Sequence, residues 1–227
     1  MRNERVLIFG ATRGVGLELA RLLRARGAEV VAMARPESDV EPLRALGVRL
    51  VEGDALSAAD VAAAFEALGS GGRVVSTLGT AFGQPPVVDR EGNVRVIEEA
   101  ERHGVERFVL VTSLGCGETR PHMAERVAAV LGPIVDAKTE AEERLARSSL
   151  AWTIVRPGGL RSDPATGRGV LTEDPTIHGF VHRADVAELV ARVLGDPATV
   201  GKKLAAVDAA LAHGPNPLDP FPLLPLD

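Results

Sequence analysis

Between a short apolar run, Arg5 to Phe9, and a stretch carrying Val15, Leu19, Leu22 and Leu23 at helical spacing stands the loop Gly10-Ala11-Thr12-Arg13-Gly14-Val15-Gly16. A strand that turns into a helix across three glycines constrains the chain more than any other feature. Glycine lets a phosphate approach the backbone, and a helix N-terminus presents free N–H groups and positive potential to it. Gly27 then stops the helix, and Glu29 to Ala34 reads as a second buried strand, which completes a βαβ unit of about 30 residues. In a first βα turn this loop reads as the holder of a dinucleotide pyrophosphate, with Gly10, Thr12, Arg13, Gly14, Val15 and Gly16 as the contacting residues.

The alternation continues along the chain. Helices are expected over Asp39–Leu46, Ser57–Leu68, Gly92–His103, Ala137–Arg147 and Ala184–Leu194. Strands are expected over Val48–Val51, Arg73–Thr77, Arg107–Thr112, Trp152–Val155 and Lys203–Val207. Strands that alternate with helices and are apolar throughout belong in a parallel sheet covered on both faces. The expected fold class is therefore α/β, a doubly wound parallel sheet in a single domain over residues 1–213. Two irregular stretches, 114–133 and 158–179, follow strands of the second half, where an open sheet builds its substrate crevice. The proline-rich tail, 214–227, carries Phe221, Leu223, Leu224 and Leu226, and the sequence leaves open whether it packs on a neighbour or stays disordered.

Composition excludes several classes of function. With 227 residues, 45% hydrophobic and 25% charged, the chain resembles ordinary soluble domains, and no apolar run reaches the roughly 20 residues of a membrane span. The charged lead Met1 to Arg5 opens no signal-peptide core, so a cytoplasmic protein is expected. A net charge of −5 without a basic stretch argues against a nucleic-acid partner. The single Cys116 forms no internal disulfide, and no Cys/His cluster has metal-site spacing, so no metal is expected. A homo-oligomer is compatible with the sequence and not specified by it.

The choice of dinucleotide is set near the end of the second strand, where NAD-specific proteins place an acidic residue on the ribose. Here the strand ends Ala32-Met33-Ala34-Arg35. A guanidinium pairs with a 2′-phosphate, and Arg13 projects toward the same region, so NADP(H) is the expected cofactor. Both arginines also have a plainer reading as solvated surface residues.

The strand ends that follow carry Gly53-Asp54, Ser76-Thr77-Leu78-Gly79, Val111-Thr112-Ser113-Leu114-Gly115 and Val155-Arg156-Pro157-Gly158-Gly159. In this order the chain resembles the short-chain dehydrogenase/reductase superfamily, over about residues 5 to 208. More narrowly, it is similar to the atypical branch of NmrA-like proteins and biliverdin/flavin reductases. The resemblance implies that Asp54 and Ala55 lie by the adenine, that Thr77, Leu78 and Gly79 pass beside the adenosine ribose, and that Arg156 to Gly159, with Pro157 and Gly158 at the centre, lie near the nicotinamide. The bland alternatives are a turn aspartate and glycines that only punctuate loops.

Conventional members of that superfamily pair a catalytic Tyr with a Lys four residues later. Lys138 stands on a helix of the expected kind, but the position four before it is Ile134, and the sequence contains no tyrosine. Hydride transfer to a ketone develops an alkoxide that needs a positioned acid. Transfer to a flavin, quinone or linear tetrapyrrole spreads the charge over a conjugated system that takes its proton from water. Ser113 is then expected to orient the acceptor and Lys138 to hold the nicotinamide ribose. The plainer readings are a capping serine and a surface lysine paired with Glu142. Weaker candidates are Cys116, as a nucleophile, and His122 and Asp136, as a proton relay. Arg183 or Asp185 is a candidate cap for the helix that begins near Ala184. The expected function is an NADPH-dependent reductase acting on a small aromatic or conjugated substrate. The alternative is a non-catalytic NmrA-like redox sensor or assembly factor; a sugar epimerase is disfavoured because oxidising a hydroxyl calls for the missing base.

Overall fold

The computed structural model describes residues 4–81 and 83–226, so most of the charged lead Met1–Arg5 and the last residue of the tail lie outside the described residues. β1 (Arg5–Phe9) leads through the glycine loop into α1 (Gly14–Ala25) and β2 (Glu29–Ala34). α2 (Glu41–Ala45), β3 (Arg49–Glu52), α3 (Ala58–Leu68) and β4 (Arg73–Ser76) complete the first half. The second half runs α4 (Asn93–His103), β5 (Arg107–Val111), α5 (Glu125–Ala146), β6 (Trp152–Pro157), β7 (Gly159–Arg161), β8 (Gly169–Thr172), β9 (Phe180–His182), α6 (Arg183–Gly195) and β10 (Lys202–Asp208). The main sheet has eight strands in the order β3-β2-β1-β4-β5-β6-β10-β8, and β7 pairs with β9 beside it. This is a doubly wound α/β domain, and its chain reverses direction across the sheet between β1 and β4. Among the described residues no helix is long and apolar enough to cross a membrane.

The two faces of β1 show why the sequence folds this way. Val6 and Ile8 point into a layer formed with Leu19 and Leu23 of α1 and Val186 and Val190 of α6. Leu7 and Phe9 point into the opposite layer, with Phe65 of α3, Ile97 of α4 and Leu145 of α5. Every residue of such a strand must therefore be apolar, which is the pattern read from the sequence. Ser57 caps α3 by accepting the Asp60 N–H at 3.3 Å, as a serine at that position should.

Three expectations about regular structure need correction or completion. The stretch 114–133 is not irregular: Gly117–His122 forms a 3-10 turn, and α5 begins at Glu125 instead of Ala137. The first turns of α5 carry Val127 and Val130 on exposed positions, so no buried stripe betrays the helix, and Pro133 falsely suggests a stop. The stretch 158–179 likewise contains β7 and β8, and β8 pairs antiparallel with β10, so the sheet is parallel except at this edge. Four residues between Arg168 and Glu173 are too few to show a period. The tail packs on its own chain. Phe221, Leu223 and Leu226 lie against the α1–α6 layer, the Phe221 N–H donates to the Leu171 carbonyl at 2.7 Å, and the Leu224 N–H donates to Asp196 at 2.9 Å.

Candidate cofactor and substrate site

Where a doubly wound sheet reverses direction, the loops leave adjacent strand ends in opposite directions and open a crevice. Here the crevice lies beyond Phe9 of β1 and Ser76 of β4. The glycine loop is tied to the other lip by Thr77, whose hydroxyl lies 3.1 Å from both the Phe9 and Gly10 carbonyls. Gly10 has φ +82°, in the left-handed region, and a Cβ on Gly16 would stand 2.4 Å from the Gly10 carbonyl oxygen. The turn therefore closes only with glycine at both places. Arg13 occupies the N-cap of α1 without a side-chain cap, and the first turn has no acidic residue, so the helix end stays open to an anion.

The residues expected to hold the adenosine half stand at neighbouring strand ends. Arg35 follows β2 and is exposed, with Nε 3.1 Å from Glu37 Oε1. Asp54 follows β3; its carboxylate accepts the Leu56 N–H at 2.8 Å and its own N–H donates to Asp60 at 2.9 Å. Ala55 is buried beside Gly92, below Leu78. Thr77, Leu78 and Gly79 extend from β4.

Lys138 is buried, not on a solvated helix face. Its Nζ lies 2.8 Å from Asp89 Oδ1 and donates to the Leu78 carbonyl at 2.9 Å. Asp89 belongs to a π-helical turn, Val88–Gly92, and its second oxygen accepts the Thr80 N–H at 2.9 Å. Behind it, Asn93 donates to the Asp89 carbonyl at 2.9 Å and accepts the Ser76 hydroxyl at 2.6 Å. A lysine from the second half of the chain thus fixes the strand end after β4. Sequence reasoning missed Asp89 and Asn93, although two polar residues opening an amphipathic helix were a usable sign.

Ser113 stands at the end of β5, half-buried, and its hydroxyl donates to the Leu114 carbonyl at 2.9 Å. Beneath this lip lies a second network. Arg156, 2% exposed, donates from Nε and Nη2 to Glu142 at 3.0 and 2.6 Å, and from Nη1 and Nη2 to Glu118 at 2.6 and 3.1 Å. Thr112 donates to Glu142 at 2.6 Å. Burial works against the Arg156 charge, but Glu142 and Glu118 outweigh it and hold the pKa above its ordinary value. Arg156 therefore faces the α5 side, and the surface pair of Lys138 with Glu142, the plainer alternative for the lysine, is absent, because each has a stronger buried partner. The Gly158 and Gly159 N–H groups donate to the Ala206 and Gly179 carbonyls, and the Pro157 carbonyl accepts the Leu114 N–H, each at 2.9 Å.

The weaker candidates fall into place. Cys116 is fully buried, and burial together with the Glu142 charge pushes its thiol up to about 12, so it is no nucleophile near neutral pH. Asp136 pairs with Arg120 at 3.2 Å, and His122 is exposed. α6 begins at Arg183 and its N-cap, His182, makes no side-chain cap. Among the described residues one grouping has metal-ligand types: His182 Nδ1 lies 3.6 Å from Asp185 and 3.8 Å from Asp208. Both carboxylates are already engaged by Thr166, and Asp208 also by Arg168. Burial raises the Asp208 pKa, but Arg168, Thr166 and the Ala210 N–H draw it down to about 2.

A family model described as NAD(P)H-binding matches residues 10–197. Among curated proteins the chain is similar to the "Uncharacterized sugar epimerase YhfK" of Bacillus subtilis (strain 168), 32% identical over 204 residues, 86% of this chain and 90% of that one. It is also similar to sanguinarine reductase of Eschscholzia californica, 36% identical over 115 residues, 48% of this chain and 41% of that one. Among solved structures it superposes on ChuY, described as an anaerobillin reductase from Escherichia coli O157:H7, with a TM-score of 0.84 and 38% identity, covering 91% of this chain and 98% of that one.

Proposed function

The chain belongs to the NAD(P)H-binding family, within the atypical short-chain dehydrogenase/reductases, and from that premise we propose that it is an NADPH-dependent reductase delivering hydride to a conjugated acceptor. The observation that carries this reading is the composition of the substrate lip. Half-buried Ile134 stands where the family's phenol is expected, Lys138 is tied to Asp89, and Ser113 supplies a hydroxyl with no ionisable partner in the bonds described for it. Such a lip orients and polarises an acceptor but offers no acid to an alkoxide. The names of two relatives, an anaerobillin reductase and a sanguinarine reductase, support a substrate with an extended π-system. An epimerase would need a base for a sugar hydroxyl, which this lip lacks.

The residues present fit a dinucleotide: the Gly10–Gly16 turn leaves no side chain at its tightest point, and the open N-terminus of α1 faces the same crevice. NADPH, when bound, supplies the hydride. The glycine loop would hold its pyrophosphate through backbone N–H groups. Arg35, with Arg13, favours the 2′-phosphate, because the exposed Glu37 pair exchanges readily in water and β2 ends without a carboxylate. Asp54 and Ala55 would border the adenine, and Thr77, Leu78 and Gly79 the adenosine ribose. Lys138 would position the ribose edge from beneath Gly79, where a Cβ would stand 3.3 Å from its Nζ. Pro157 and Gly158 would close the nicotinamide end, and Ser113 would turn its O–H from the Leu114 carbonyl to the acceptor.

Purified protein should consume NADPH, in preference to NADH, with quinones, flavins or other conjugated compounds, and only poorly with simple ketones. Ser113→Ala should lower turnover roughly ten- to a thousandfold, the range for losing one polarising donor, without changing cofactor affinity. Tight NADPH binding with no turnover on any acceptor would overturn the reductase reading in favour of a redox sensor.

A further inference from the structure

We infer that Arg183, at the first position of α6, is a cation for the cofactor's pyrophosphate, reaching it across the open face of the glycine loop. This rests on the reading of that loop given above. α1 and α6 pack side by side through Val15, Leu19, Val186 and Val190, which lays the start of α6 against the start of α1. A Cβ on Gly14 would stand 3.7 Å from Arg183 Nε and 3.9 Å from its Cδ. The side chain therefore crosses the open face of the loop, and Nη1 donates to the Ser162 hydroxyl at 2.7 Å, which holds the guanidinium over it.

The electrostatics ask for an anion at this spot. Cations are disfavoured at helix N-termini, yet Arg13 stands at the N-cap of α1 and Arg183 opens α6. The first turn of α1 has no acidic residue. That of α6 has Asp185, but its oxygens accept the Thr166 N–H, the Thr166 hydroxyl and the Gly167 N–H at 2.9 to 3.2 Å. Among the described residues neither arginine has a carboxylate within 4.0 Å. Two helix ends, each opened by an arginine with no carboxylate partner among the described residues, thus stand side by side. A pyrophosphate diester brings two negative charges and an array of acceptor oxygens, which match a guanidinium fork and free N–H groups.

The test compares two ligands that share the 2′-phosphate but not the pyrophosphate: NADPH and adenosine 2′-monophosphate, titrated by calorimetry into the full chain. Arg183→Ala should weaken NADPH roughly ten- to a hundredfold, the range of a charge-assisted hydrogen bond, and leave the monophosphate unchanged. Arg35→Ala should weaken both. Arg183→Lys, which keeps the charge and loses the fork, should fall between. Ser162→Ala, which frees the guanidinium without removing it, should weaken NADPH by about two- to fivefold and gives the answer if Arg183→Ala fails to fold. Unchanged NADPH affinity in Arg183→Ala overturns this inference and leaves the function intact. Equal losses for both ligands also overturn it, because Arg183 would then act on the adenosine phosphate or on the fold. Failure of the wild type to bind NADPH overturns the reading beneath it instead.

Discussion

Lys138 and Glu142 stand one turn apart on α5, at the spacing where opposite charges on an exposed helix pair with each other, yet each turns to a different lip of the cleft. Lys138 reaches the cofactor lip, where Asp89 and the Leu78 carbonyl receive it. Glu142 reaches the substrate lip, where it receives Arg156 and Thr112. The two anchors differ in kind. Arg156 has Nε and both terminal nitrogens engaged and is almost wholly buried, so it ties the 114–122 loop to α5 and keeps no terminal nitrogen free. Lys138 keeps a side-chain exposure of 11% and lies beneath Gly79, so a compact ammonium remains close to where the ribose would pass. One lip is stiffened by a planar fork; the other is held by a group with a donor to spare. Burial alone does not separate these two pairs, whereas the number of committed donors does.

Breaking the substrate-side anchor should have the largest effect on stability. Glu142→Ala leaves Arg156 with only the half-exposed Glu118, and loss of one partner in a buried pair costs about 3–5 kcal/mol. The thermal midpoint should fall by roughly 6–20 °C, while NADPH affinity stays within about twofold of wild type. Calorimetry with a parallel NADPH titration reads both quantities. A collapse of cofactor affinity at unchanged stability would erase the distinction between the lips.

Lys138→Met should act in the other direction. Asp89 loses its cation but keeps the Thr80 N–H, so the stability cost should be smaller, about 2–3 kcal/mol, and the NADPH dissociation constant should rise roughly tenfold. Wild-type affinity in this variant would make the lysine as purely structural as Arg156.

The smallest effect concerns acid. Burial raises the Glu118 pKa, but hydrogen bonds and charge from Arg156, with help from Lys203, leave it below its ordinary value of 4.5. A carboxyl depressed in the folded state contributes stability above its unfolded pKa and loses it as pH falls through the folded one. The 114–122 loop should therefore keep its protection above the ordinary carboxylate range and loosen as pH falls through the lowered Glu118 value. Hydrogen exchange at the Gly117–His122 backbone, followed as pH is lowered, would show the loosening; protection unchanged in acid would contradict it.

What the sequence makes legible follows from where the information lies. The glycine loop, the βα alternation and the apolar strands are contiguous patterns, and the crevice between β1 and β4 follows from them by topology. The ion pairs are not contiguous. Asp89 meets Lys138, and Glu118 and Glu142 meet Arg156, only after separate elements pack. Lys138 with Glu142 looks like a helical surface pair until the structure redirects both. One sign was available: Arg156 interrupts the strand Trp152–Pro157, and a charge inside a buried strand requires a buried partner. The start of α5 was hidden because its first turns face outward, and β8 because it is too short to show a period.

The proposed reduction sends hydride to an acceptor that needs no proton from a side chain. Single-turnover reduction of a quinone by the NADPH-loaded protein, followed from about pH 6 to pH 9, isolates that step. The rate constant should vary by less than roughly threefold across that range, because no group of the substrate lip gives up a proton in the step. A tenfold change per pH unit on one limb, governed by a single ionisation, would contradict it and reveal a protein acid in the place left by the missing tyrosine.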